Sequence, residues 1–134
     1  LKAKFPSSKH FTSWLSLAPN KRITGGKVLS SKTNKNKHPL AYAFRQAANA
    51  AGNTKDSALG QFFRRIAYKK GRKYAVTATA RKIAVIVYNM VTKNEPYRPM
   101  GTEDYQQKVR EQKIKSIQKK IKSLGLKQED LVFA

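Results

Sequence analysis

The 134-residue chain carries 29 Lys and Arg against 7 Asp and Glu, a formal net charge of +22. At 40% hydrophobic and 10% aromatic it can bury one modest core, so it is not a disordered basic tail. With no cysteine, disulfides and thiolate metal sites are excluded, and the longest apolar stretch, Ile83–Val91, is too short to span a bilayer.

In chain order, the first residues, Leu-Lys-Ala-Lys-Phe-Pro, lack the apolar run of a signal peptide. A start at Leu rather than Met suggests a fragment or a processed product. A first helix is expected from about Ser7 to Leu17, capped by Ser7 or Ser8, with Phe11, Trp14, Leu15 and Leu17 apolar and Pro19 stopping it. From Asn20 to Asn36 the chain is polar, basic and rich in Gly, Ser and Thr. This is a long loop, with room for a short strand at Lys27–Ser30. A second helix fits Pro39 to Ala51, with Pro in the first turn, Gly52 as the stop and a stripe of Leu40, Phe44, Ala47, Ala48 and Ala51.

Asp56 can cap a third helix whose buried face is Leu59, Phe62, Phe63 and Ile66, ending at Gly71. The fourth, Arg72 to about Lys93, is apolar on Ala75, Val76, Thr79, Ala80, Ile83, Ile86, Val87 and Met90, and is expected to be the core helix, packed on Phe44, Phe62, Phe63 and Ile66. Its β-branched residues leave a strand at Ile83–Val91 as the alternative. Glu95 to Gly101 reads as a linker. Thr102 then caps a long helix to Leu124, with Tyr105, Val109, Ile114, Ile117, Ile121 and Leu124 apolar, before Gly125 and a Leu131-Val132-Phe133 tail that could dock back. The fold expected is all-α, a compact bundle of about five helices with one long basic loop containing Gly and Ser. Residues 1–94 form the basic core, and residues 95–134 are the linker and long helix.

The charge is concentrated. Residues 1–94 hold 20 basic residues and one acidic residue, Asp56, whereas residues 95–134 hold 9 basic and 6 acidic. Such a field draws in polyanions, and each cation that meets a phosphate releases a counterion. Nucleic acid is therefore the expected partner, ahead of a merely soluble basic protein or a membrane-attracted one.

The segment richest in chemistry is the loop. Gly25 and Gly26 let the backbone approach a phosphate, while Arg22, Lys27 and Lys32 supply charge and Thr24, Ser30 and Ser31 supply hydroxyls. It is not a nucleotide-binding P-loop, because Lys21 stands where that motif needs Gly and Val28 follows Lys27. A plain surface hairpin is the alternative. Arg64, Arg65, Lys69, Lys70, Arg72 and Lys73 cluster around the end of the third helix, and Arg81 and Lys82 follow, as candidate phosphate contacts. Tyr42, Tyr68 and Tyr74 could stack on unpaired bases, although core or rim positions explain them too. His10 and His38 stand alone, and no carboxylates converge on a metal pattern, so no metal ligand is assigned.

An ordered series of motifs adds a family resemblance. It runs Phe5-Pro6-Ser7, His10 to Leu15, Leu17-Ala18-Pro19 and Thr24 to Thr33. It continues with Ala43-Phe44-Arg45, Ala47-Ala48, Ser57 to Gly60, Phe63-Arg64-Arg65, Ala75 to Lys82, Tyr88 and Pro96-Tyr97. The series resembles the C-terminal transposase domain of the insertion-sequence family called "IS one-ten". The resemblance implies a domain that contributes a serine nucleophile to DNA cleavage and rejoining, beside an N-terminal nuclease-like domain of Holliday-junction-resolvase fold. That second domain would bear the metal-binding carboxylates and hence a divalent metal such as magnesium. The resemblance further implies a structured guide RNA, DNA substrates, a homo-oligomer, no membrane, and a cytoplasmic, nucleoid-associated setting. The isolated chain would then be inactive. Many relatives carry Ser immediately before the double glycine, where this chain has Thr24, so Ser30, Ser31 and Thr24 all stand as candidate nucleophiles. A non-catalytic binding module and a degenerate transposase fragment are the competing readings.

Overall fold

The structure is a computed structural model and describes residues 1–35 and 37–131. It divides into two compact units, Leu1–Pro99 and Met100–Ala134. In the first, α1 (Ser8–Trp14) is followed by a hairpin of β1 (Arg22–Thr24) and β2 (Lys27–Ser30). After it come α2 (Pro39–Gly52), α3 (Ala58–Lys70) and α4 (Arg72–Lys93). The fold is the expected helical bundle, with one small hairpin added.

α4 is the central element: α1, α2 and α3 all pack on it. The helix adopts the whole of Ile83–Val91, so the strand alternative is excluded. Its buried face is Ala75, Thr79, Ala80, Ala84 and Tyr88. Small side chains let three helices approach one axis, which explains why Ala84 is fully buried while Ile86 and Met90 sit half-exposed on the flanks.

The core lies on α4 and includes Phe44 as expected, but its centre is toward α1 and α2 rather than α3. Phe5, Phe11, Leu15, Leu17, Ala41, Phe44, Ala48, Ala80, Ala84 and Tyr88 form one cluster, with Val76, Ile83 and Val87 against it. Phe63 is buried apart from that cluster, while Leu59, Phe62 and Ile66 are only half-buried. On α2 the buried residues are Ala41, Phe44 and Ala48, with Leu40 and Ala47 exposed, so the stripe sits one residue round from the expected one.

Local corrections share a cause, that tertiary packing overrides the nearest sequence signal. α1 stops at Trp14, and Ser16 takes φ +54. Leu15 and Leu17, two apart, could not share one helix face, and leaving the helix lets both bury completely. Trp14 stays exposed, its ring 4.5 Å from that of His38. α3 is capped by Ser57 rather than Asp56: the Ser57 hydroxyl accepts from the Gly60 amide at 2.9 Å. Gly52 is the last residue of α2 rather than its stop. A Cβ there would lie 2.7 Å from Cδ1 of Phe63, so glycine is required by the close approach of α3.

In the second unit α5 spans Thr102–Ser123, with Gly101 at the cap position and Thr102 already helical. Tyr105 is buried and Ile114, Ile117 and Leu124 are exposed. At about 100° per residue, Tyr105 and Val109 lie on a different face from Ile114, Ile117, Ile121 and Leu124, so the apolar positions do not form one stripe. A 3-10 turn, Gln128–Asp130, follows. The tail residues Val132 and Phe133 lie outside the described residues.

Candidate nucleic-acid interface

The hairpin is short, exposed, and held in register by its turn. Thr24 pairs with Lys27 across Gly25 (φ +56) and Gly26 (φ +76). Positive φ at both central residues is what a type I′ turn demands, so the two glycines have a conformational reason independent of any phosphate. A Cβ at either would meet nothing within 4 Å, so the tip stands in open space. Among the described residues no helix packs against the hairpin.

A bulge determines what the base of the hairpin presents. Ile23 pairs with Val28, but the next pair is Arg22 with Ser30, leaving Leu29 as the extra residue. Regular pairing would set Leu29 opposite Arg22. The bulge sets Ser30 there instead, within the reach typical of directly opposed side chains. Leu29 is displaced into solvent at 69% exposure. Below the strands the pairing continues irregularly. The Asn20 amide donates to the Lys32 carbonyl at 3.0 Å, and the Asn20 side chain donates to Oδ1 of Asn34 at 3.2 Å.

These residues line a cleft of about 400 Å³, made by Asn20, Arg22, Ser30, Lys32, Thr33, Asn34 and Lys35. It holds three cations and no carboxylate. Ser30 is half-buried in it, and its hydroxyl oxygen accepts from the Lys32 amide at 3.3 Å. Of the expected site residues, Arg22, Ser30 and Lys32 are brought together here. Ser31 is exposed and does not line the cleft, while Thr24, Gly25, Gly26 and Lys27 lie at the tip. Asn20, Thr33, Asn34 and Lys35 complete the cleft. The sequence signal for them was weak: an Asn on each flank of the hairpin, which only the folded pairing makes meaningful.

The basic cluster of α3 and α4 divides by role. Arg64 bends back to the end of α2, its guanidinium donating to the carbonyls of Gly52 at 3.3 Å, Thr54 at 2.9 Å and Lys55 at 2.9 Å. Gly52 offers an orphan carbonyl at the end of α2, and Thr54 and Lys55 lie in the turn that follows, so Arg64 ties the helix end and the turn with three bonds from a charged group. Arg72 donates to Asn49 at 3.1 Å and lies 5.2 Å over the Phe63 ring. The Lys82 ammonium sits 4.2 Å from the Phe62 ring centroid. Arg65 and Arg81 are half-buried, whereas Lys69, Lys70 and Lys73 are exposed.

The bulged cationic hairpin falls within a segment similar to a transposase family. Residues 2–64, which contain α1, the hairpin, α2 and the first half of α3, match the family model described as "Transposase IS116/IS110/IS902 family", a similarity that spans just under half of the chain and supports an IS110-type transposase domain in this segment. No curated protein and no solved structure matches the chain. No described helix is long and apolar enough to cross a membrane.

Proposed function

We propose that the chain is the part of an insertion-sequence transposase that grips DNA and a structured guide RNA through their phosphates and supplies a serine nucleophile, Ser30, for strand cleavage and rejoining. The observation that carries this reading is the bulge that sets Ser30 opposite Arg22 in a cleft shared with Lys32 and Lys35.

The chemistry suits the residues. As the Ser30 hydroxyl oxygen attacks phosphorus, one P–O bond forms and the ester bond to one sugar oxygen breaks. The serine proton passes to a base and the departing sugar oxygen takes up a proton. Charge builds on the phosphoryl oxygens in between, and Arg22, Lys32 and Lys35 face that charge. The Lys32 amide, already donating to the Ser30 oxygen, favours that oxygen as its proton leaves. The phosphoserine ester keeps the energy of the broken bond, so a second sugar hydroxyl can reverse the step and rejoin strands.

Among the described residues no group of three or more His, Asp or Glu could hold a metal ion. The divalent metal that the family resemblance implies, magnesium in our reading, is assigned to the nuclease-like domain of the complete protein, and no step above passes through it. The complete protein would act as a homo-oligomer at the nucleoid, in the cytoplasm.

The test is a covalent protein–DNA adduct assay on the complete transposase with its element-encoded RNA, comparing Ser30→Ala, Ser31→Ala and Thr24→Ala. Loss of the adduct in Ser30→Ala alone is the expected result. Loss in Thr24→Ala alone moves the nucleophile to the residue before the double glycine, the position where relatives carry Ser. Normal recombination by all three makes the hairpin a phosphate grip and removes the catalytic assignment.

A further inference from the structure

α3 and α4 meet at Gly71, and the residues around that corner read Tyr68-Lys69-Lys70-Gly71-Arg72-Lys73-Tyr74. A tyrosine stands three residues to either side of the glycine, with cations between. Gly71 has φ +96, and a Cβ there would meet nothing within 4 Å, so the corner needs glycine for its backbone and stands in solvent.

The fold does not account for these side chains. Tyr68 is 93% exposed and Tyr74 57%. A tyrosine stabilises a fold chiefly by burying its ring, and Tyr68 buries almost none of it. Lys69 and Lys70 suit the C-terminal end of α3, where cations meet the negative end of the helix dipole. Lys73 does not have that reason. It lies in the first turn of α4, where a cation opposes the dipole and no acidic residue offsets it. Neither α3 nor α4 contains an Asp or Glu anywhere. Arg64 and Arg72 already serve contacts inside the fold, so the outward charge of the corner comes from Lys69, Lys70 and Lys73.

We propose that this corner is a stacking site for the unpaired bases of a single-stranded nucleic acid. Tyr68 and Tyr74 take base faces, and Lys69, Lys70 and Lys73 take the phosphates between. The inference rests on the reading of the chain as a nucleic-acid-binding protein and adds the class of strand. Every base offers a π-face, so the site tolerates any sequence. Bases within a duplex are stacked on one another and offer no free face to a tyrosine, so the site discriminates single strand from duplex.

The experiment measures binding of the full chain to three fluorescently labelled ligands of equal length: oligothymidylate, an abasic deoxyribose-phosphate strand, and a blunt duplex. The double variant Tyr68→Ala/Tyr74→Ala is expected to lose about 10-fold in oligothymidylate affinity per lost stack. It should bind the abasic strand and the duplex as the parent does, with an unchanged melting temperature. Tyr68→Phe/Tyr74→Phe, which keeps both rings, is expected to bind oligothymidylate normally. Equal losses on all three ligands, or no loss on oligothymidylate, overturn the stacking site while leaving the phosphate-binding reading in place. A parent chain that binds none of the three overturns both.

Discussion

The hydroxyl of Tyr88 donates to the backbone carbonyl of Phe5 at 2.5 Å, closing the core across nearly the whole first unit. Both residues are buried, and the Tyr88 ring lies 5.8 Å from that of Phe11. Phe5 falls inside the segment that matches the transposase family model and Tyr88 falls outside it. The family segment therefore completes its core only with α4. Tyr88→Phe keeps the ring and leaves a buried carbonyl unpaired, a cost of about 1–3 kcal/mol. Chemical denaturation of the variant should show that loss with an unchanged denaturant slope; a change below ~0.5 kcal/mol would mean that water replaces the hydroxyl.

Phe63 is 2% exposed and lies against Gly52 with the Arg72 guanidinium over its ring. Phe63→Ala should destabilise the chain by about 3–5 kcal/mol, the usual range for emptying such a site. Gly52→Ala should also destabilise, although alanine is the better helix former, because its methyl collides with the ring. Combining it with Phe63→Leu should recover part of the loss. Additive losses in the pair would show that the two positions do not meet.

Arg64 and the corner lysines look alike in sequence and should behave differently. Arg64→Ala removes three bonds to carbonyls of Gly52 and of the turn after α2 and should lower the melting temperature by several degrees. Lys69→Ala/Lys70→Ala, which removes only their exposed contribution at the α3 dipole, should lower melting less than Arg64→Ala, weaken binding to all nucleic acids alike, and flatten the salt dependence by about one unit of slope per cation lost. A salt-independent titration of the parent chain would remove the basis for phosphate binding.

Thr79 is fully buried in α4, and its hydroxyl has no hydrogen-bond partner among the described residues. Thr79→Val replaces that hydroxyl with a methyl of nearly the same shape. The variant should be as stable as the parent or more so, because an unsatisfied buried hydroxyl is removed. A melting temperature lower by several degrees would reveal a partner for Thr79.

Sequence alone determined the elements with strong local punctuation. Pro39 in a first turn, Gly71 at a corner and an apolar run flanked by lysines were enough to place α2 and α4 within a residue or so of their observed ends. Net charge and the single carboxylate in residues 1–94 likewise determined the strongly cationic character, because charge does not depend on how the chain packs. Tertiary structure decided what required a second segment to define it. Ala41, Ala84 and Tyr88 became core because α4 admits its neighbours closely, which no periodicity within one helix reveals. Arg64 became a clamp because the last residue of α2 and the turn after it left carbonyls within its reach. Ser30, rather than Ser31 or Thr24, entered the cleft with Arg22 because one bulged residue shifted the register of the hairpin. Register is a relation between two strands, and a side chain's place in it follows from the partner strand as much as from its own residue.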